Sequence, residues 1–349
     1  MTAELQIETA ASMPQDLAVP DIYFTAGYGL ATATAENASW RLARFGDRIL
    51  LPYLVRPVDA VTTDAATPYG YSGIHVASGC PPTEVTEFWS QAVRHWRAEG
   101  MVTLFLRFSP LDESSVEAAR ALGAFVLNDI GDTVTVPVSG GAAAVWNTMQ
   151  GRARTAVRKA RNAGLEAGIR PAGENDVAPG APFRNLYEST MRRVCSRPDY
   201  VFPDRYYQQL LAGVGKSLFV VEVTGRDGAT VAASLVLRHG DRVHYHLSGS
   251  ERDAARQGAN NLLVWTILAW AAGMNCSLVH LGGGLRPDDP LFAFKRSFGG
   301  LRTRRFTASI VLDPDRYGAL VAARAQSMRR QVDDLLDTGF FPAYRLQEL

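Results

Sequence analysis

Apolar and polar residues alternate through residues 40–56 on either side of Gly46-Asp47, and this period of two predicts a β-hairpin. The run Thr67-Pro68-Tyr69-Gly70-Tyr71-Ser72-Gly73 then reads as a loop carrying two tyrosines. The period lengthens to that of an amphipathic helix over 84–99, with acidic residues in its first turn and Gly100 as a stop. A strand over 102–108, a helix over 113–122 and strands over 124–127 and 133–138 follow. After Ser139-Gly140-Gly141 the pattern restarts, with helices over 142–150 and 152–163, a strand over 165–170 and helices over 183–194 and 204–212. Three strands, 218–223, 230–238 and 243–248, turn at Gly225-Arg226-Asp227-Gly228 and Gly240-Asp241. A long apolar helix over 259–272 precedes a strand over 278–281, a helix near Leu291, a strand over 303–312 and a final amphipathic helix over 315–337.

Both halves run through antiparallel strands, a helix and a further strand, although no residue-level repeat links them. That order implies an α/β protein, a mixed sheet with helices on its faces. Gly140-Gly141 marks the internal boundary. The last helix needs a partner for its apolar face, and the first half can supply one.

Composition narrows the function classes. At 349 residues and 47% hydrophobic, the chain is long enough for one very large domain or two ordinary ones. No apolar run reaches the roughly 18 residues of a spanning helix, and the first residues do not read as a secretory signal. Three cysteines without metal-ligand spacing point away from a disulfide framework and toward a reducing cytoplasm. A net charge of +1 argues against a dedicated duplex-DNA binder, but leaves room for a partner held by its end.

Lysine occurs three times, at Lys159, Lys216 and Lys295, so 33 of the 36 Lys+Arg residues are arginine. An ammonium kept at Lys295, beside Phe294, reads either as a compact point charge with a task or as an ordinary surface lysine. Gly282-Gly283-Gly284 lies just before it. These glycines permit close approach of backbone to a ligand or simply make a turn, and they match neither a Walker loop nor a dinucleotide fingerprint. His244 and His246 share one face of their strand and Tyr245 takes the other. No third ligand at suitable spacing suggests a metal, so acid/base work and core packing both remain. Arg154, Arg158 and Arg161 follow i, i+4, i+7 on one helix face, which can hold phosphates or be solvated. Arg256-Gln257-Gly258-Ala259-Asn260-Asn261 leads into the long helix, whose start is a candidate anion site. No Gly-x-Ser-x-Gly elbow occurs and no cysteine has a histidine near it in sequence, so no covalent mechanism is expected.

Taken in order, several segments resemble the Fem family of aminoacyl-tRNA-dependent peptide-bridge transferases and the GNAT-fold acyltransferases related to it. They are the 67–73 loop, Arg107-Phe108-Ser109-Pro110-Leu111, the helix with Val157-Arg158-Lys159-Ala160, and Phe183, Leu186, Tyr187, Thr190 and Met191. Further along come residues 243–250, Asn261 to Trp265, the glycine run, and Phe294-Lys295 with Phe298. The resemblance spans most of residues 20–312. It implies two GNAT-like domains, each a mixed, mainly antiparallel sheet flanked by helices, facing a shared cleft. Residues 1–140 would form the first, with 313–349 packing back on it, and 141–312 the second.

By the same resemblance the catalytic role falls on Phe294 and Lys295, with the ammonium stabilising the oxyanion formed when an amine attacks an acyl carbonyl. Tyr69, Tyr71 and Arg107 would line the acceptor side, and Arg154, Arg158, Tyr245 and Asn261 the donor side. His244, His246, Gly283 and Gly284 complete the candidate substrate-binding residues. The implied donor is the acceptor end of an aminoacyl-tRNA, with no resident cofactor, and the implied acceptor an amine on a peptidoglycan precursor or small molecule. Acyl-CoA is the alternative donor, although the GNAT pyrophosphate pattern is compressed here to Arg256-x-Gly258-Ala259. A non-catalytic tRNA- or precursor-binding module is the third possibility.

Overall fold

The computed structural model describes residues 4–197, 200–284, 286 and 288–347. Strand β1 (Leu5–Glu8) and helix α1 (Ala26–Glu36) precede the predicted hairpin, β2 (Ser39–Phe45) and β3 (Ile49–Pro57), whose register sets Phe45 against Ile49. β4 (Thr63–Ala66) pairs antiparallel with one end of β3, and the two-residue β5 (His75–Val76) with the other. Helix α2 (Pro82–Ala98) crosses to β6 (Met101–Arg107), which runs parallel to β4, and α3 (Glu113–Leu122) follows. Val85, Phe88, Trp89, Ala92 and Trp96 make the buried stripe of α2, and Trp96 meets Tyr53 edge-on at 5.7 Å.

The chain then enters β7 (Leu127–Pro137); residues 124–126 of the first predicted strand lie outside it, and the strand runs from Leu127 through 128–132 into the second. Its polar stretch stays extended where Asp132 pairs with Arg302 at 3.0 Å and Thr133 Oγ1 meets Thr303 Oγ1 at 2.9 Å. Helices α4 (Gly141–Thr148) and α5 (Gly151–Asn162), strand β8 (Glu166–Pro171) and helices α6 (Glu174–Val177), α7 (Pro182–Arg193) and α8 (Asp204–Val214) come next. β8 and then β9 (Leu218–Thr224), β10 (Thr230–His239) and β11 (Arg242–Ser250) are successive antiparallel neighbours. The short α9 (Arg252–Arg256) and long α10 (Ala259–Gly273) cross to β12 (Leu278–Gly283), which is parallel to β11 and antiparallel to β7. α10 is apolar over most of its length because α4, α5 and the strands bury Ala259, Leu262, Leu263, Val264, Ile267, Leu268 and Ala271. Helix α11 (Pro290–Arg296) leads to β13 (Leu301–Val311), whose residues 307–311 pair with β6.

The single helix predicted over 315–337 is two, α12 (Pro314–Ser327) and α13 (Val332–Leu336). Arg329 adopts φ 53°, a left-handed terminator, and the Arg330 N–H closes on the Ala325 carbonyl at 3.0 Å. Both helices pack with Val102 and Tyr344. Nearby, the fully buried Asp64 accepts from Arg56 Nε at 2.8 Å, the Tyr344 hydroxyl at 2.9 Å and Arg345 Nε at 2.5 Å.

Among the described residues the chain forms two compact units. Unit one runs to Ile130 and resumes at Arg305, and unit two is Gly131–Arg304. The limits fall inside β7 and β13 rather than at 140 and 313, because residues 133–137 pair with β12 and residues 307–311 with β6. Each unit is a mixed, mainly antiparallel sheet flanked by helices, with strand orders β1-β2-β3-β4-β6-β13 and β8-β9-β10-β11-β12-β7. The plan is the same in both. Four antiparallel strands lead through a crossover helix to a parallel fifth, and an antiparallel sixth, β13 in unit one and β7 in unit two, completes the order.

Candidate active site

In unit two, β11 and β12 are paired only at residues 242–244 against 278–280. Beyond that, β11 follows β10 to Ser250 while β12 follows β7 to Gly283, with a register shift between His280 and Gly282. Held by different neighbours, the strands part at Tyr245 and Leu281. Lys295 stands at this opening. Its Nζ donates to the Gly283 carbonyl at 2.7 Å and lies 5.8 Å from the centre of the Tyr245 ring. The residue is only 8% exposed, so its charge is largely withdrawn from water and depends on such partners. Burial pushes the Tyr245 phenol up to about 12, against the pull of a hydrogen bond with Ser248, so it is neutral at ordinary pH.

Seven residues make a marginal helix, and α11 is fixed at both ends. Asp289 caps its start, with Oδ1 accepting from the Phe292 N–H at 2.7 Å and Oδ2 from the Arg286 N–H at 3.2 Å. Gly284 leaves room for that carboxylate, since a Cβ there would fall 2.1 Å from Asp289 Oδ1. At the other end Ser297 Oγ donates to the Phe294 carbonyl at 2.6 Å, the Gln150 N–H to the Ser297 carbonyl at 2.8 Å, and Arg152 Nη2 to the Ala293 carbonyl at 3.0 Å. Phe294 is half-buried, edge-on to Phe298 at 5.3 Å. Gly283 thus supplies a carbonyl to Lys295, and Gly284 supplies space to the helix cap.

His244 and His246 have different partners. His244 faces His280 across the last parallel pair, their rings 5.7 Å apart. The register shift between Leu235 and Val236 leaves His246 as the extra residue of a β-bulge, so the strict alternation expected of the strand ends there. Its Nε2 lies 2.9 Å from the Tyr206 hydroxyl on α8. Burial, with a smaller contribution from His244, pushes His246 down to about 3, and its imidazole is neutral at ordinary pH.

On α5, Arg154 donates to the carbonyls of Asn147 at 3.1 Å and Trp146 at 3.4 Å, and so closes the end of α4. Arg158 is exposed and lies 5.3 Å over the Trp146 ring. Lys159 Nζ donates to the Arg256 carbonyl at 2.9 Å. Asn261 is half-buried in the first turn of α10. Gly258, at φ 96° before that turn, packs so tightly on α5 that a Cβ would stand 2.4 Å from the Ala156 carbonyl oxygen. A carbonyl, itself negatively polarised, therefore faces the residue where the sequence suggested an anion site.

Tyr69, Tyr71 and Arg107 belong to unit one. Tyr28 donates its hydroxyl to the Tyr69 carbonyl at 2.7 Å, and the Tyr71 ring stands edge-on to Tyr23 at 5.9 Å. Arg107 donates to the Thr67 carbonyl at 2.7 Å and lies 4.9 Å over the Phe105 ring. Here the parallel pair β4–β6 stays joined beyond its register, through the Thr67 N–H on the Phe105 carbonyl at 2.9 Å and a bridge from Ser72 to Phe108. Unit one has no lysine, and among the described residues no such opening between its parallel strands.

Spacing along the sequence does not reveal Gln150, Arg152, His280 or Tyr206, whose contacts span 36 to 147 positions of chain. Asp289-Pro290 did carry a signal, an N-cap followed by proline at the first helical position. Among the described residues no group of three His, Cys, Asp or Glu side chains could hold a metal ion, and no helix is long and apolar enough to cross a membrane.

Residues 149–296, from the start of α5 through Lys295, match the acetyltransferase (GNAT) domain family. Over 123 residues the chain is 29% identical to the UDP-N-acetylmuramoylpentapeptide-lysine N(6)-alanyltransferase of Weissella viridescens, covering 34% of this chain and 36% of that protein. The match thus spans about a third of the relative's length. The crystal structure of FemX superposes with a TM-score of 0.67 at 13% identity, covering 85% of this chain and 94% of that one. L-PGS from Bacillus licheniformis does so with a TM-score of 0.55 at 11% identity, covering 84% and 93%. Over part of its length the chain is thus similar to a Fem-type alanyltransferase, and it carries an acetyltransferase (GNAT) domain in a fold shared with FemX.

Proposed function

We propose that the protein is an amide-forming acyltransferase that moves an amino acid from aminoacyl-tRNA to an amine of a peptidoglycan precursor or related small molecule. The observation that carries this reading is Lys295, a buried ammonium held on the Gly283 carbonyl where β11 and β12 part. A neutral amine attacks the ester carbonyl, and the new C–N bond leaves negative charge on oxygen. Lys295 stabilises that oxyanion. The tetrahedral species then expels the ribose oxygen, which takes the proton lost by the amine, so no enzyme nucleophile is needed. Burial and the neighbouring Tyr245 ring keep the ammonium from water, which strengthens its field. Arg154 and Arg158, on α5 of the same unit, serve the donor.

The GNAT match favours acyl-CoA as a second donor. Against it stand the Ala156 carbonyl at Gly258 and the Lys159 ammonium already placed on the Arg256 carbonyl. The test is incubation with charged tRNA and lysine-containing precursor peptide, beside acyl-CoA with the same acceptor. Consumption of charged tRNA that depends on the amine, and falls about 100-fold or more in Lys295→Ala, is the expected result. Turnover of acyl-CoA alone would replace the tRNA reading. A Lys295→Ala protein as active as the parent would remove the catalytic one.

A further inference from the structure

Lys295 rides on a helix of less than two turns, so its place against Gly283 depends on what holds that helix. The carbonyl end is gripped from outside by the connector that opens α5. Gln150 donates its N–H to the Ser297 carbonyl at 2.8 Å, and its side-chain Oε1 accepts from Arg152 Nε at 2.9 Å. Thus oriented, Arg152 donates through Nη2 to the Ala293 carbonyl at 3.0 Å. A guanidinium near the last turn of a helix also meets the negative end of its dipole. Arg152 itself is exposed, and it donates to the Gln150 side chain and to the Ala293 carbonyl. An exposed arginine directed by one residue onto the helix that bears the ammonium is arranged for alignment.

We propose that Arg152 is the positioning residue for Lys295, fixing the ammonium against Gly283 by holding the carbonyl end of α11. The proposal rests on the reading of Lys295 as the catalytic group, and it adds a residue that would otherwise be counted with the phosphate-binding arginines of α5. The two roles separate experimentally. An arginine that only binds tRNA phosphate matters with charged tRNA and not with a donor lacking the tRNA body.

The chain's three lysines make the geometry measurable without catalysis. Brief acetylation with acetic anhydride, followed by mass spectrometry, gives relative labelling rates for Lys159, Lys216 and Lys295. Arg152→Ala is expected to raise the Lys295 rate roughly 5- to 10-fold, the scale of one ordinary hydrogen bond, and to leave Lys159 and Lys216 unchanged. Arg152→Lys restores part of the protection. In transfer from an amino acid esterified to the 3′-hydroxyl of adenosine, Arg152→Ala is expected to lower kcat on the order of 10- to 100-fold with little change in KM. Unchanged Lys295 labelling in Arg152→Ala overturns the proposal, as does a loss confined to the KM for full tRNA. Equal increases at Lys159 and Lys295 would mean general loosening and reject it too. Failure of the catalytic reading shows separately, as an active Lys295→Ala protein.

Discussion

Replacing Gly284 with alanine sets a methyl carbon 2.1 Å from Oδ1 of Asp289 and 2.6 Å from its Cγ, well inside contact distance. The carboxylate must swing away, and the N-cap bonds to Phe292 at 2.7 Å and Arg286 at 3.2 Å go with it. Loss of an N-cap costs about 1 kcal/mol. Asp289→Ala removes the same two bonds without a clash, so it carries a similar cost. The double variant loses nothing further and should also cost about 1 kcal/mol, rather than the 2 kcal/mol of independent sites. Urea denaturation followed through the tryptophans of unit two, Trp146, Trp265 and Trp270, measures all three proteins. Both single variants should lower the transfer rate as well, because the first turn of α11 sets the pose of Lys295. Additive losses, or a Gly284→Ala protein as stable as the parent, would refute the idea that this glycine exists for the cap.

Two further outcomes follow from buried groups. His246 is held at about 3, below its unfolded value near 6.5, so between these values the unfolded chain binds the extra proton. Its contribution to stability is therefore complete above pH 6.5 and declines as pH falls, by up to about 1.4 kcal/mol per unit. Urea midpoints from pH 7 to 5 should show a steeper decline in the parent than in His246→Gln, and parallel profiles would dismiss this origin. Gly258→Ala combines a left-handed backbone with a Cβ 2.4 Å from the Ala156 carbonyl oxygen, and should cost about 3 kcal/mol in the same assay. A loss below about 1 kcal/mol would mean that α10 and α5 separate easily.

Much of the architecture was legible because its elements are periodic. The alternation over 40–56 became β2 and β3, and the stripe of α2 and the apolar run of α10 became helices close to their predicted bounds. What escaped was what long-range pairing decides. The polar residues 128–132 read as a break between strands, yet they continue β7 where Asp132 meets Arg302. The helix predicted over 315–337 carries a continuous apolar stripe, but Arg329 turns left-handed and divides it. Scarcity of lysine singled out Lys295 but left an ordinary surface lysine open, and its burial on the Gly283 carbonyl is what the fold adds. The bulge at His246 and the bonds from Gln150 and Arg152 to α11 have no local signature, since each depends on strands or helices distant in sequence.

Unit one takes its sixth strand, β13, from residues that follow all of unit two, and this sets an order of completion during synthesis. Unit two is one continuous stretch, so every strand of the unit bearing Lys295 has left the ribosome once Arg304 has emerged. Unit one lies earlier in the sequence yet must wait for residues from 305 onward. Until Arg305 and the residues beyond it arrive, β6 presents an open edge and Asp64 lacks Tyr344 and Arg345. The second half matures first, and the first half passes through its birth as the aggregation-prone partner.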